Sequence, residues 1–106
     1  MAKILHFRPV KDKFVLSKIR DSASSGNYIP VEHAKQRLHE REVTDPEVRY
    51  VLKYGYRELK KDEYKPEHKA WNYAISGKTI DGRKLRVIVS FDENLMLIIT
   101  VIDLEK

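Results

Sequence analysis

Residues 33–41, His-Ala-Lys-Gln-Arg-Leu-His-Glu-Arg, hold the densest chemistry in the chain. Their composition predicts a short helix. At about 100° per residue, positions four apart share a face. His33, Arg37 and Arg41 therefore form one stripe, and Ala34 and Leu38 an apolar stripe beside it. A row of cations headed by an imidazole suits a phosphate-rich partner, because the arginines stay charged and imidazole titrates near neutrality. The plainer alternative is a solvated helix face, which is what charged rows usually are. A second basic group lies downstream at Arg86, in the run Leu85-Arg86-Val87. Its planar donor fork fits phosphate or carboxylate; an ordinary arginine on a solvent-facing sheet is the alternative there.

The elements that follow the first stretch have clear signals. Thr44-Asp45-Pro46-Glu47 reads as a helix start. Thr44 caps, Glu47 closes a capping box, and Pro46 falls in the first turn, where its missing N–H costs little. Val48, Val51 and Leu52 supply the apolar face, and Gly55 stops the helix. The order is helix, tight turn at Glu42-Val43, helix, glycine, and then strands.

Further motifs continue the pattern: Trp71-Asn72-Tyr73-Ala74-Ile75-Ser76-Gly77, Asp81-Gly82-Arg83-Lys84-Leu85-Arg86-Val87-Ile88-Val89 and Ile98-Ile99-Thr100-Val101. Together with His-Ala-x-x-Arg-x-x-x-Arg, in this order over roughly residues 28–103, they resemble a group of small, mostly uncharacterised bacterial domains. That group is similar to the RelE/ParE-like toxins of the barnase–EndoU–colicin–RelE superfamily. The resemblance implies a metal-independent ribonuclease or toxin of a toxin–antitoxin type system. Its partners would be RNA, in a ribosome-associated setting for some such toxins, and a cognate antitoxin protein. One position departs from the pattern: Val31 stands where the group usually has a capping Ser or Thr.

The whole chain sets broad bounds. Its 106 residues predict one domain with a modest core, residues 1–27 forming a helical extension and 28–103 the toxin-like core. There are no cysteines, which excludes disulfides, thiolate zinc sites and a thiol nucleophile. No apolar run approaches the ~20 residues of a membrane span, and no signal core is evident, so the cytoplasm is the expected compartment. Net charge is +5, which favours an acidic partner, either nucleic acid or protein. Residues 1–55 hold 11 Lys and Arg against 7 Asp and Glu, and residues 56–106 hold 10 against 9. The helical half is thus the basic half.

The remaining segments place these residues. Residues 3–8 predict a short strand ended by Pro9, and 11–23 a helix burying Val15, Ile19 and Ser22/Ala23 with Leu16 beside them. Tyr56–Leu59 is expected as a strand and Lys60–Lys69 as a charged, flexible loop with His68 in solvent. The last third predicts an antiparallel three-stranded meander with three-residue loops at 80–82 and 92–94. That register sets Trp71, Tyr73 and Ile75 opposite Phe91, Val89 and Val87, and sets Val87 and Val89 opposite Ile99 and Leu97. These make the core face. Ser76, Arg86 and Thr100 then become neighbours on the other face, near Asn72 and Ser90, which they share with Ala74, Ile88, Ile98 and Ile102. The predicted fold is α+β, RelE/ParE-like: N-terminal helices on one face of a mostly antiparallel sheet of about four strands.

Metal-independent RNA cleavage needs a base for the 2′-OH, cations for the charged phosphorane and an acid for the leaving oxygen. His33, Arg37 and Arg86 are the catalytic candidates. Arg41, Ser76, Arg83 and Thr100 are substrate-binding candidates, with Tyr73 expected in the core. No cofactor is expected. His33 and His39 are six apart and do not share a helix face, so they are no zinc pair. No glycine-rich phosphate loop follows a strand. Residues 33–41 and 45–54 could also form a helix-turn-helix, but the second helix offers DNA only Arg49 and Lys53. The rival to a nuclease is a non-catalytic module on the same fold that binds a protein through the half-apolar sheet face. Helices packed on the core face would leave His33 far from Arg86, so a shared site requires them to meet at a sheet edge or strand end.

Overall fold

The computed structural model describes residues 12–93 and 95–105, so the strand expected at 3–8 lies outside the described residues. Helix α1 spans Asp12–Ser25, and its Val15, Ile19 and Ala23 are fully buried, four residues apart. Strand β1 (Tyr28–Pro30) leads into α2 (Glu32–Glu40), and α3 spans Asp45–Tyr54. The start of α2 has no side-chain cap at Val31. The backbone supplies the anchor instead: Val31 N–H donates to the Ile98 carbonyl at 3.0 Å, and Lys35 N–H donates back to Val31 at 2.9 Å. The α3 start is the expected capping box, with Thr44 N–H donating to Glu47 Oε1 at 2.9 Å and Glu47 N–H to Thr44 Oγ1 at 3.4 Å.

The sheet is mixed and has six strands, more than the four or so expected. Its remaining members are β2 (Tyr56–Arg57), β3 (Glu63–Lys65), β4 (Ala70–Lys78), β5 (Lys84–Phe91) and β6 (Met96–Asp103). The order is β1-β6-β5-β4-β2, with β1 parallel to β6 and β3 also on β4. Two short pieces thus share the outer side of β4, β2 beside Ile75 and Ser76 and β3 beside Ala70–Asn72. Within the stretch expected as a loop at 60–69, Glu63–Lys65 is a strand for a local reason, while 66–69 form a turn with His68 exposed. Tyr64 packs its ring edge-on against Trp71 across the β3–β4 pair, centroids 5.7 Å apart. Between β2 and β3 a 3-10 turn, Leu59–Lys61, steps away from β4. At that gap Glu58 N–H donates to the Ala74 carbonyl at 2.9 Å, and Ala74 N–H donates to the Asp62 carboxylate at 3.1 Å.

The first hairpin has the expected register: Tyr73 faces Val89, Ile75 faces Val87 and Ser76 faces Arg86. Thr79 N–H donates to the Arg83 carbonyl, leaving a three-residue loop with Gly82 at φ +86°. The second hairpin does not. Asp92 accepts Leu95 N–H on its side chain at 2.9 Å and closes a tighter turn, so Phe91 pairs with Met96. A one-residue slip turns every side chain over. Met96 and Ile98 therefore enter the core, where Leu97 and Ile99 were expected. A bulge between Ile88 and Val89 then shifts the pairing again, setting Ile88 opposite Thr100 and Val87 opposite Val101. Ile98 leaves the outer face, while Ile102 stays on it.

One core results. Residues of all three helices, Val15, Ile19, Ala34, Val48, Val51 and Leu52 among them, meet Tyr73, Ile75, Leu85, Val87, Val89 and Val101 of the sheet. The alternation of β5 puts Ser90, Ile88 and Arg86 on the opposite, open face. Among the described residues no helix is long and apolar enough to cross a membrane.

Candidate functional site

The sequence candidates fall into three separate places. His33 is exposed on α2, next to the buried Ala34. Arg37 donates to Glu40 one turn on at 2.6 Å, a surface pair of small energetic weight. Arg41 does not point to solvent with them. Its Nη1 donates to the Val101 carbonyl, tying the end of α2 to the outer side of β6. The stripe read from residue spacing is therefore broken by Arg41.

Arg83 forms a second place, a structural one. Its Nη2 donates to the Arg41 carbonyl at 2.8 Å and to Asp103 at 3.2 Å. Its Nη1 donates to the Glu42 carbonyl at 2.9 Å and to Glu47 at 3.3 Å. One guanidinium thus clamps the α2–α3 turn, where Glu42 sits at φ +51°, to the last strand and the first hairpin. The hydrogen bond to Asp103 does most to hold the guanidinium above the ordinary arginine range, with Glu47 adding to it. Burial alone would raise Glu47, but its bonds from Thr44 and the Arg83 charge leave it lowered. Arg83→Ala should cost about 2 kcal/mol in urea unfolding, discounted because the side chain is 28% exposed. A loss below half that would show the clamp to be incidental.

The third place is the open face. Arg86 donates from Nε to Glu58 Oε1 at 2.6 Å and from Nη2 to Glu58 Oε2 at 3.1 Å. The fully buried Ser76 donates its hydroxyl to the same Oε1. Glu58 directly follows β2 and its N–H still bonds Ala74 of β4, so its side chain shares the face of Tyr56 and Ser76, and the neighbour of Arg86 is a carboxylate. Thr100, expected beside Arg86, lies one row away opposite Ile88, because the hairpin slip and the bulge moved it; Ile102 takes its place. Arg86 Nη1 has no partner among the described residues. Arg86 first, and Ser76 second, hold Glu58 below the usual carboxylate range, and Glu58 raises Arg86 in turn.

This pairing has a pH consequence. A lowered folded-state value means that Glu58 stabilises the fold fully above the ordinary glutamate value of about 4.3, and loses that effect as pH falls through the lower folded value. Glu58→Gln should therefore cost about 1–2 kcal/mol near pH 7 and progressively less in acid. Parallel urea unfolding of both proteins at neutral and acid pH checks it; a cost independent of pH would contradict the pairing.

The helices cover the core face and Arg86 stands on the other, so His33 and Arg86 do not converge. A cleft of about 810 Å³ contains none of the sequence candidates. Phe91, Leu97 and Ile99 give it apolar walls, and Lys18, Asn72 and His68 are among its polar lining. Among the described residues no three His, Asp or Glu side chains gather as a metal site.

Residues 31–103 match a domain of unknown function, DUF4258. The chain belongs to the DUF4258 family. No curated protein and no solved structure matches it. The DUF4258 match covers α2 through β6, so all three places lie within it, while α1 and β1 precede it. In this DUF4258 chain Glu58 is the site residue that sequence reasoning missed. Nothing local marks it, because the Glu58–Arg86 pair spans 28 residues and depends on β2 pairing with β4 beside β5.

Proposed function

We propose that this protein is an RNA-binding protein with the architecture of a RelE/ParE-like toxin, acting at the open sheet face around Arg86. The observation that supports the reading is the Glu58–Arg86–Ser76 network. Glu58 fixes one edge of the guanidinium, and Nη1 is left as a donor for a phosphate. The net charge of +5 agrees with an anionic ligand. In this reading a ribonuclease of a toxin–antitoxin pair would use Glu58, not His33, to accept the 2′-OH proton beside Arg86; the 2′-oxygen bonds the adjacent phosphorus as the phosphorus–5′-oxygen bond breaks, and the protonated Glu58 or water returns a proton to the leaving 5′-oxygen. A depressed carboxylate is a weak base, so turnover would be slow. A cognate antitoxin would silence the protein by covering this face.

The test uses the full chain and a labelled single-stranded RNA, with binding read by anisotropy and products on a gel. Arg86→Ala should weaken binding about ten-fold, the weight of one charge-assisted hydrogen bond, while thermal unfolding shows a folded protein. Products that vanish in Glu58→Gln and persist in His33→Ala would place the chemistry at Glu58. If the unsubstituted protein neither binds nor cuts RNA, the reading fails. A protein-binding module is then favoured by the half-buried Ile88, Thr100 and Ile102 on the same face, and Ile88→Asp should abolish capture of its partner.

A further inference from the structure

We infer that residues 53–61 form a stacking platform for single-stranded RNA along the outer edge of the sheet, a site that rests on the RNA-binding reading. Three large apolar side chains stand in solvent within six residues: Tyr54 is 63% exposed, Tyr56 61% and Leu59 61%. Two of them are flat rings on either side of Gly55. Their Cα atoms lie at most about 7 Å apart, so the rings ride on one rigid junction between α3 and β2. Tyr50 packs against Tyr54 with centroids 4.8 Å apart, one turn back on α3, which fixes that ring in place.

The charge around the rings is unbalanced in one direction. Lys53, Lys60 and Lys61 form no ion pair among the described residues, and Lys53 Nζ lies 5.5 Å from the centre of the Tyr54 ring. The one acid of this stretch, Glu58, is engaged by Arg86, and the two that follow it, Asp62 and Glu63, by Arg57 and Lys65. The platform also runs into the open face, since Tyr56 pairs with Ser76, which pairs with Arg86. A strand of RNA lying across it would set bases on the rings and phosphates against the lysines and Arg86. Only unpaired bases expose their faces for such stacking, which selects single strands over duplex.

Anisotropy with a labelled mixed-sequence single-stranded RNA of about 12 nucleotides tests this. Tyr54→Ala combined with Tyr56→Ala should weaken binding at least ten-fold, since each stacked base carries roughly five-fold or more. The corresponding double Phe variant should keep the affinity, because the ring and not the hydroxyl stacks. Lys60→Glu with Lys61→Glu should weaken binding and flatten its salt dependence, by a slope of about 0.7 for each phosphate no longer neutralised. Duplex RNA should bind more weakly and ignore the tyrosine substitutions. If the double Ala variant keeps full affinity while Arg86→Ala loses it, the RNA reading stands and the platform falls. If the unsubstituted protein binds no single-stranded RNA, both fall. Equal binding of an acidic polyglutamate peptide with the same sensitivity to the tyrosine variants would overturn the platform in favour of a protein-binding surface.

Discussion

Asp62→Ala should cost about 3–5 kcal/mol of folding stability, the range for breaking one side of a buried ion pair. The Asp62 side chain is 1% exposed and that of its partner Arg57 11%. Removing the carboxylate takes the opposite charge away from Arg57 in a site that water hardly reaches. It also removes the acceptor for Ala74 N–H, which has no strand opposite it at the gap between β2 and β3. Asp62→Asn should recover part of the loss, because an amide oxygen can still accept from Ala74 while the charge stays absent. Against a typical domain stability of about 5–15 kcal/mol the alanine variant should unfold at much lower urea concentration. A loss under about 1 kcal/mol would mean that solvent reaches Arg57 and the pair is no anchor.

Gly55→Ala should be comparably damaging, about 3 kcal/mol or more. The reason is space, since Gly55 has an ordinary backbone with φ −78°. A methyl group there would lie 2.4 Å from the Ser76 carbonyl oxygen and 2.6 Å from that of Val51. Both are backbone atoms within packed elements, so neither can yield cheaply. Gly77 faces Gly55 in the same close crossing, and Arg20 Nη2 donates to the Gly55 carbonyl at 2.8 Å. Gly82→Ala is the control. It has φ +86° and open space around it, so only the left-handed strain of about 1 kcal/mol applies. Calorimetry of the two variants should rank them clearly; equal costs would show that α3 can shift away from β4.

What the sequence made legible was local. The capping box at Thr44 and Glu47 needs four consecutive residues, and the 80–82 loop needs one glycine that accepts a positive φ. Both are present as written, and the first hairpin follows from them. The second hairpin could not be read the same way. Its register rests on one Asp92 side-chain bond and on a bulge whose location depends on filling the core with Met96, Ile98 and Val101 together. The extra strands β1 and β3 escaped notice because each is only three residues long and gains its order from a longer neighbour, β6 for the first and β4 for the second.

The candidate site divides along the same line. Residue type identified Arg83 and Arg86 as strong hydrogen-bond donors, and they are. Type could not say what they hold. Arg83 spends its fork on two carbonyls 41 and 42 positions earlier in the chain, and Arg86 on a glutamate that the end of β2 brings alongside β4. Helical spacing placed His33 on α2, but spacing along one helix carries no information about which side of the sheet that helix covers.

The Arg41 bond to Val101 has one more consequence, for how the molecule tolerates crowding by its own kind. An uncovered strand margin is a template on which further chains can add and aggregate. Here both margins are blunted. Strand β1 is three residues long and ends at Pro30, and beyond it Arg41 occupies a β6 carbonyl that another chain would need. On the far margin β2 and β3 are too short to recruit, and the detour between them presents Lys60 and Lys61. Among the described residues the sheet thus offers no continuous ladder on which another chain could grow.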